Sequence, residues 1–268
     1  MDRRSLLTSI AAAAVVSLTG CAAERGRAAS PTASVFTPTP TPTPTPRPTP
    51  ATIGAPVPLL KKVPLPGGRI TELPGEGNHL AWTVDDGSNS QVVAAYAQFA
   101  KDSGVRLTFF LNGTYPSWLD NAPALRPLVE SGQVQLGNHT FSHADLTELS
   151  SAGIIHELQS NADFIKNTYG VTAAPFYRPP YGYTNSRTES VASSIGYTAP
   201  VLWYGSLSDS GLITPEQVVQ FADTWFLPQH IVIGHANYLP VTTVYSRLVD
   251  IIHQRQLQTV TLNDVFQT

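Results

Sequence analysis

Two histidines and two aspartates in this chain have the residue types and spacing of a catalytic metal site. His139 and His143 stand four residues apart, so both imidazoles can point the same way from a helical turn or a tight loop. Neutral imidazole is the commonest metal ligand in proteins. Asp85 and Asp86 end an apolar run, where adjacent carboxylates are costly unless a positive charge offsets them. One Asp and two His make a three-ligand site with open positions for water and substrate, and the second Asp stays free as a base.

Each pattern also has an interpretation that involves no chemistry. A pair of histidines at this spacing occurs by chance or as two core residues, and adjacent aspartates occur in solvated turns. The metal-site hypothesis therefore requires a fold that brings the two patterns together.

The elements that would position these residues alternate between strands and helices. Short apolar segments predict strands near residues 79–84, 106–111, 134–137, 176–178, 201–203, 230–233 and 259–261. Helical periodicity predicts helices near residues 91–102, 122–131, 152–169, 184–195, 215–226 and 241–254. Ser90 and Thr214 are predicted N-caps, and Gly104 and Gly170 follow predicted helix ends.

This alternation implies an α/β fold with parallel strands, arranged either as a barrel or as a doubly wound sheet. The candidate residues come just after predicted strands, where parallel α/β folds place their functional sites. The fold class thus agrees with the metal-site hypothesis.

Five short motifs follow predicted strands in a fixed order. They are Thr83-Val84-Asp85-Asp86-Gly87, His139-Thr140-Phe141-Ser142-His143, Arg178-Pro179-Pro180-Tyr181-Gly182, Val201-Leu202-Trp203 with Asp209, and Ile231-Val232-Ile233-Gly234-His235. Together they closely resemble the polysaccharide deacetylases, the fourth family of carbohydrate esterases. The resemblance covers residues 59–268. It implies a distorted (β/α) barrel of parallel strands with fewer than eight complete units.

The resemblance also implies which residue holds which role at the metal. Asp86, His139 and His143 would bind a divalent metal, Zn²⁺ in the first place, with Co²⁺ or Ni²⁺ as alternatives. Asp85 would be the general base that deprotonates the attacking water, and Arg178 would orient it by a charged hydrogen bond.

The remaining roles implied by the resemblance concern the leaving group and the substrate. His235 would be the general acid for the amine, and Asp209 aligns with the carboxylate that tunes this histidine. Tyr181 would supply a backbone N–H to the oxyanion, and Trp203 would either line the substrate pocket or pack in the core. The fourth motif departs from the family, because Ser206 and Ser210 stand where the family often has Asp and Trp.

The N-terminus has the pattern of a lipoprotein signal peptide, which we place at residues 1–20. Arg3 and Arg4 precede an apolar run over residues 6–18, which is shorter than the roughly 20 residues that span a bilayer. Leu18-Thr19-Gly20-Cys21 resembles a bacterial lipoprotein cleavage box, so Cys21 is the predicted lipidation site. As the only cysteine it excludes an internal disulfide. Residues 21–58 combine this anchor with a Thr/Pro-rich linker, a stiff spacer of about 3 Å per residue.

These features predict an extracytoplasmic, membrane-anchored lipoprotein that faces the cell wall. The chain carries 16 basic and 19 acidic residues without a basic patch, so nucleic acid is not an expected partner. We expect a monomeric enzyme that removes N-acetyl groups from a cell-wall or chitin-like polysaccharide. The alternatives are a catalytically weak glycan-binding lipoprotein on the same scaffold and a solute-binding lipoprotein, for which residues 59–268 are short.

Overall fold

The computed structural model of the protein describes residues 60–268. The predicted signal peptide, Cys21 and the linker lie outside the described residues, so the domain boundary at residue 59 stays a prediction. None of the helices in the described part of the chain is long and apolar enough to cross a membrane.

Eight short strands form one sheet, and every pairing between them is parallel. They are β1 (His79–Asp86), β2 (Leu107–Leu111), β3 (Val134–Asn138), β4 (Phe176–Tyr177), β5 (Ala199–Pro200), β6 (Gly205–Ser206), β7 (His230–His235) and β8 (Gln258–Thr259). The order across the sheet is β5-β4-β3-β2-β1-β7-β6, and β8 pairs with the start of β1. Seven strands thus make a half-barrel, which confirms the predicted distorted barrel with fewer than eight complete units.

Helices follow most of the strands. They are α1 (Ser90–Ser103), α2 (Ser117–Asp120), α3 (Ala122–Glu130), α4 (Ser151–Tyr169), α5 (Ser186–Ser194), α6 (Pro215–Trp225), α7 (Tyr245–Gln254) and α8 (Leu262–Val265). Helices α1 to α7 bury residues in the hydrophobic cluster outside the sheet, whereas α8 packs in the inward cluster. The caps predicted at Thr214, Gly104 and Gly170 are confirmed, since Thr214 accepts from the Gln217 N–H and both glycines are left-handed. The single-turn helices α2 and α8 were not predicted.

Three local predictions are wrong. Asn89, not Ser90, caps α1, because its side chain accepts from the backbone N–H groups of Gln91 and Val92. The strand predicted at residues 201–203 lies earlier, as β5 (Ala199–Pro200), because the Val201 N–H still donates to the Tyr177 carbonyl of β4 whereas the Leu202 N–H donates to the carbonyl of Ile70. The last long helix begins at Tyr245, since Leu239–Thr243 is a 3₁₀ turn.

The first strand sends alternate side chains to two different hydrophobic clusters. Leu80, Trp82 and Val84 pack outward among the helices, whereas Ala81 packs inward against Phe110 and Ile231 on the neighbouring strands. The period of two therefore places Thr83 and Asp85 on the inward side with Ala81.

The register brings the carboxyl ends of the central strands to one edge. Asp85 of β1 pairs with His235 of β7, and Asp86 pairs with Leu111 of β2. Leu111 in turn pairs with Asn138, the last residue of β3. Motifs that are up to 150 residues apart in sequence therefore converge at this edge, as in other parallel α/β folds.

Candidate active site

Arg178 is fully buried and joins the inward face of β1 to the segment after β5. Its Nη1 donates to Asp85 Oδ1 at 2.6 Å and to the Thr83 hydroxyl at 2.9 Å. Its Nε and Nη2 donate to the carbonyls of Val201 and Leu202 at 3.0 and 2.9 Å. Burial lowers the pKa of Arg178 and the Asp85 carboxylate opposes this shift, so the guanidinium remains charged. Asp85 is thus held in one orientation by a charged hydrogen bond.

Asp86 ends β1 in a left-handed backbone conformation, with φ of 69°. A non-glycine residue rarely adopts this region, and such strain persists only where neighbours hold it. Here the indole N–H of Trp118 donates to the Asp86 carbonyl at 2.8 Å. The next residue, Gly87, also has positive φ, and a Cβ at that position would lie 2.3 Å from the Trp118 ring. Trp118 therefore fixes the turn that points the Asp86 carboxylate toward the histidines.

The two histidines lie on a loop after β3 rather than on a helix. Thr140 and His143 have φ of 67° and 64°, and the Asn112 side chain donates to the carbonyls of His139 and Thr140. His139 Nδ1 lies 2.7 Å from the carbonyl oxygen of Arg178, which can only accept a hydrogen bond. Nδ1 therefore carries the proton, and the Nε2 lone pair is free for a ligand.

Three potential ligand atoms converge at one point. His139 Nε2 and His143 Nε2 each lie 3.3 Å from Asp86 Oδ1, and all three atoms lie within 4.8 Å of one another. Asp86 Oδ1 is buried, and no described residue donates to it a hydrogen bond of good geometry. One carboxylate oxygen and two imidazole nitrogens match the donor set of a catalytic zinc site, so these residues fit a divalent cation.

The protonation of these ligands follows from their mutual contacts. Burial opposes the charged form of Asp86, but its close contact with His139 and the charges of His139, His235 and His143 hold its pKa well below the usual range. Burial lowers the pKa of His143, whereas Asp85 and Asp86 outweigh burial and raise the pKa of His139. Protons compete with a cation for the nitrogen atoms of the two histidines, so metal affinity falls as the pH decreases.

His235, the last residue of β7, forms the second ionisable pair of the site. Its Nδ1 lies 3.0 Å from Asp209 Oδ1, and Asp209 is buried. Burial alone would lower the pKa of His235, but the hydrogen bond to Asp209 and its charge raise it. The Nε2 end of the ring is not bonded to Asp209, which leaves it available for a proton transfer.

Tyr181 and Trp203 lie on the loops beside the metal-ligand cluster. Tyr181 has φ of 60°, is 58% exposed, and its ring lies 4.6 Å from that of His143. Trp203 is half-buried and lies against Gly182, where an added Cβ would be 3.0 Å from the ring. Trp203 also lies 5.7 Å from the Arg178 guanidinium. The structure thus places both aromatic residues next to the candidate catalytic groups.

Several amide side chains of the site were not anticipated from the sequence. Asn237 donates to Asp86 Oδ2 at 2.7 Å. Asn138 accepts from the Thr140 N–H at 2.9 Å, and Asn161 of α4 donates to the same Asn138 oxygen at 2.9 Å. Asn112, described above, fixes the same loop. The available signal was that Asn112, Asn138 and Asn237 all come at or just after ends of predicted strands.

The family model of the polysaccharide deacetylases matches residues 73–200. That range contains five of the converging residues, Asp85, Asp86, His139, His143 and Arg178. The family model and the relatives thus support the resemblance of this chain to the polysaccharide deacetylases. Chitin deacetylase 1 of Cryptococcus neoformans is 34% identical over 134 residues, which cover 50% of this chain and 27% of that protein. The chain spans about half or less of the length of the curated relatives that it matches.

Solved structures of deacetylases share the fold. The chitin deacetylase of the fungal pathogen Colletotrichum lindemuthianum superimposes with a TM-score of 0.67 at 22% identity, over 77% of this chain and 94% of that chain. A CE4 family pseudoenzyme from Bacillus anthracis superimposes with a TM-score of 0.64 at 18% identity, over 76% and 70% of the two chains. The fold therefore occurs in enzymes and in a pseudoenzyme, and the function must be argued from the site residues.

We predict that His139→Ala weakens Zn²⁺ binding by more than the roughly 10–100-fold that the loss of an outer partner of a metal ligand costs. The substitution removes one of the three converging donor atoms. Titration calorimetry and elemental analysis of the dialysed protein measure the effect. His156→Ala is the matched control, because His156 is exposed on α4. Full metal occupancy in His139→Ala would contradict the assignment of the ligands.

Proposed function

We propose that the protein is a metal-dependent hydrolase that removes N-acetyl groups from a cell-wall or chitin-like polysaccharide. The observation that carries this proposal is the cluster of Asp86, His139 and His143 with Asp85 at its edge. Asp85 Oδ2 lies 3.5 Å from His139 Nε2, so a second carboxylate directly faces the ligand cluster. This is the arrangement that hydrolysis needs, with an activating cation and a base beside it.

Asp86, His139 and His143 would hold the cation, with Zn²⁺ favoured by two nitrogen donors and one oxygen donor, and Co²⁺ or Ni²⁺ as alternatives. When bound, the cation lowers the pKa of a coordinated water toward about 7 and polarises the carbonyl oxygen of the acetamide. The protein supplies the groups that move protons around it.

Asp85 acts as the general base in this proposal. Its Oδ1 is occupied by the buried Arg178 guanidinium, so Oδ2 is the oxygen that accepts a proton from the attacking water. The water oxygen then forms a bond to the acetamide carbon. Arg178 holds the Asp85 carboxylate in one orientation by a charged hydrogen bond, and its second bond to the Thr83 hydroxyl fixes the guanidinium.

His235 acts as the general acid. Its Nδ1 proton is held by Asp209, and its Nε2 proton passes to the nitrogen of the leaving amine as the C–N bond breaks. The products are acetate and a free amino sugar, and the proton taken by Asp85 balances the one given by His235. The backbone N–H of Tyr181, in its left-handed turn next to His143, is our candidate donor to the oxyanion.

Exposed aromatic side chains on the loops of the site support a carbohydrate substrate. Tyr181 and Tyr183 are 58% and 57% exposed with ring centroids 5.6 Å apart, and Tyr238, which follows Asn237, is 40% exposed. Aromatic faces left open on a protein surface mark interaction sites. Several relatives are chitin deacetylases, which supports the same class of substrate for this protein.

A catalytically weak, glycan-binding protein is the second candidate. It is favoured by the altered fourth motif, where Ser210 is exposed next to Asp209 and supplies no aromatic wall. The enzyme is nevertheless favoured by the hydrogen bonds that orient the candidate base and the candidate acid, from Arg178 to Asp85 and between His235 and Asp209. The two candidates differ in acetate release, which the enzyme alone produces.

We further propose that the protein acts outside the cytoplasm, anchored by a lipid on Cys21 and facing the cell wall. The lone cysteine directly after Leu18-Thr19-Gly20 supports this proposal. Cys21→Ala is expected to move the protein from the membrane fraction to the medium or to leave an uncleaved precursor. Unchanged fractionation together with a mature N-terminus elsewhere would contradict the anchor.

Asp85→Asn is expected to keep the metal and to lose about 10²-fold or more in kcat, the usual scale for loss of a general base. Acetate release is measured on peptidoglycan, chitooligosaccharides and acetylxylan, with and without a chelator. Asp250→Asn, an exposed aspartate on α7, is the matched control and should keep wild-type kcat. Near-native kcat of Asp85→Asn with full metal would overturn the proposed mechanism.

Asp209→Asn is expected to shift the alkaline limb of kcat/KM to lower pH by about one unit, the scale of one lost charge partner. Asp209 raises the pKa of His235, and a general acid works only while protonated, so activity is lost as pH rises through that pKa. The pH profile of Asp223→Asn, in which the altered aspartate pairs with Arg255 on the surface, should match wild type. An unshifted alkaline limb in Asp209→Asn would exclude His235 as the acid that Asp209 tunes.

A further inference from the structure

The side chain of Asn237 bridges the loop after β1 and the loop after β7. Its Nδ2 donates to Asp86 Oδ2 at 2.7 Å. Its Oδ1 accepts from the backbone N–H of Ser88 at 3.1 Å and from the Ser88 hydroxyl at 2.8 Å. One amide group thus contacts both a candidate metal ligand and the turn that carries it.

The orientation of this amide is fixed by its partners. A backbone N–H can only donate, so the amide atom that faces Ser88 N must be the oxygen. The opposite end is therefore the NH₂ group, which faces the carboxylate of Asp86 as a donor. Exchange of the two amide atoms would set donor against donor at Ser88.

The two oxygens of Asp86 consequently have different environments. Oδ2 accepts from Asn237, whereas the buried Oδ1 faces His139 Nε2 and His143 Nε2 at 3.3 Å each. We propose that Asn237 is a positioning residue that restricts Asp86 to binding the metal through Oδ1 alone, an inference that rests on the proposed metal-dependent function. A carboxylate free at both oxygens can take a second coordination position, which water and substrate need in a catalytic site.

The backbone around Asn237 is already tied to the loop after β1. The Ala236 N–H donates to the Asp85 carbonyl at 3.0 Å, and the Asn89 N–H donates to the Ala236 carbonyl at 3.3 Å. These two bonds do not involve the Asn237 side chain, so a change of that side chain removes its contacts with Asp86 Oδ2 and Ser88 and leaves the backbone connection between the loops. The segment that carries His235 therefore also carries Asn237, the residue that orients the Asp86 carboxylate.

Asn237→Ala and Asn237→Leu test this role in the full chain, the second with a side chain of similar shape and no donor. Zn²⁺ affinity is measured by titration calorimetry, and the visible absorption spectrum is recorded for the Co²⁺-loaded protein. We expect affinity to fall about 10–100-fold, the usual effect of losing the partner of a metal ligand. We also expect weaker Co²⁺ absorption bands, because a second oxygen ligand raises the coordination number.

Asn263→Ala is the matched control, since Asn263 is exposed on α8, and it should bind and absorb like wild type. Circular dichroism of the metal-free proteins checks that the half-buried Asn237 positions still fold. Wild-type affinity and an unchanged Co²⁺ spectrum in both Asn237 variants would overturn the positioning role and leave the metal centre intact. Failure of the wild-type protein itself to bind Zn²⁺ or Co²⁺ would overturn the proposed function and this inference together.

Discussion

The buried guanidinium of Arg178 is the interaction on which the site depends. It is fully buried, packs 4.3 Å from the Phe110 ring centroid, and all three of its nitrogens donate to described partners. Its own backbone N–H donates to Asn138 and its carbonyl accepts from His139. A buried charge of this kind is strongly destabilising when it loses its partner, by about 3–5 kcal/mol. Arg178 therefore couples the candidate base, one metal ligand and the barrel interior in a single arrangement.

A second constraint is the backbone strain around the ligand cluster. Asp86, Thr140, His143 and Tyr181 all have positive φ, in a region that non-glycine residues rarely adopt. Asp86 is the last residue of β1, and the other three residues lie on the loops that follow β3 and β4. Neighbours such as Trp118 and Asn112 hold the strained turns with hydrogen bonds to backbone carbonyls. Strain of this kind is typical of functional sites, where surrounding structure determines the geometry.

The sequence predicts much of this fold because its signals are local. Short apolar segments predicted β1, β2, β3 and β7, and capping residues predicted an end of α1, α4 and α6. The segment after β5 was misassigned because its partner is Ile70, which lies far away in sequence. Whether such a segment forms a strand depends on its long-range pairing, which the periodicity of the local sequence does not reveal.

The convergence of Asp86, His139 and His143 also followed from motifs at predicted strand ends, whereas the supports of these residues did not. Asn161 and Trp118 act through contacts across the fold, and nothing in their local sequence distinguishes them from surface or core residues. Asn237 follows a predicted strand, but its contact with Asp86 is equally non-local. The left-handed turns were hidden for the same reason, because Asp and His at a strand end usually continue in ordinary conformations. The candidate metal ligands can therefore be predicted from the sequence, whereas the residues that orient them are identified only from the structure.

The most direct test of the account is an anomalous-difference map from crystals of the Zn²⁺-loaded protein. We expect one strong peak per chain at about 2.0–2.2 Å from His139 Nε2, His143 Nε2 and a single oxygen of Asp86. Asp85 should face the peak without binding it, with its Oδ1 still on Arg178. A peak at any other group of residues, or none at these three in a protein that is shown to be folded, would contradict the central claim.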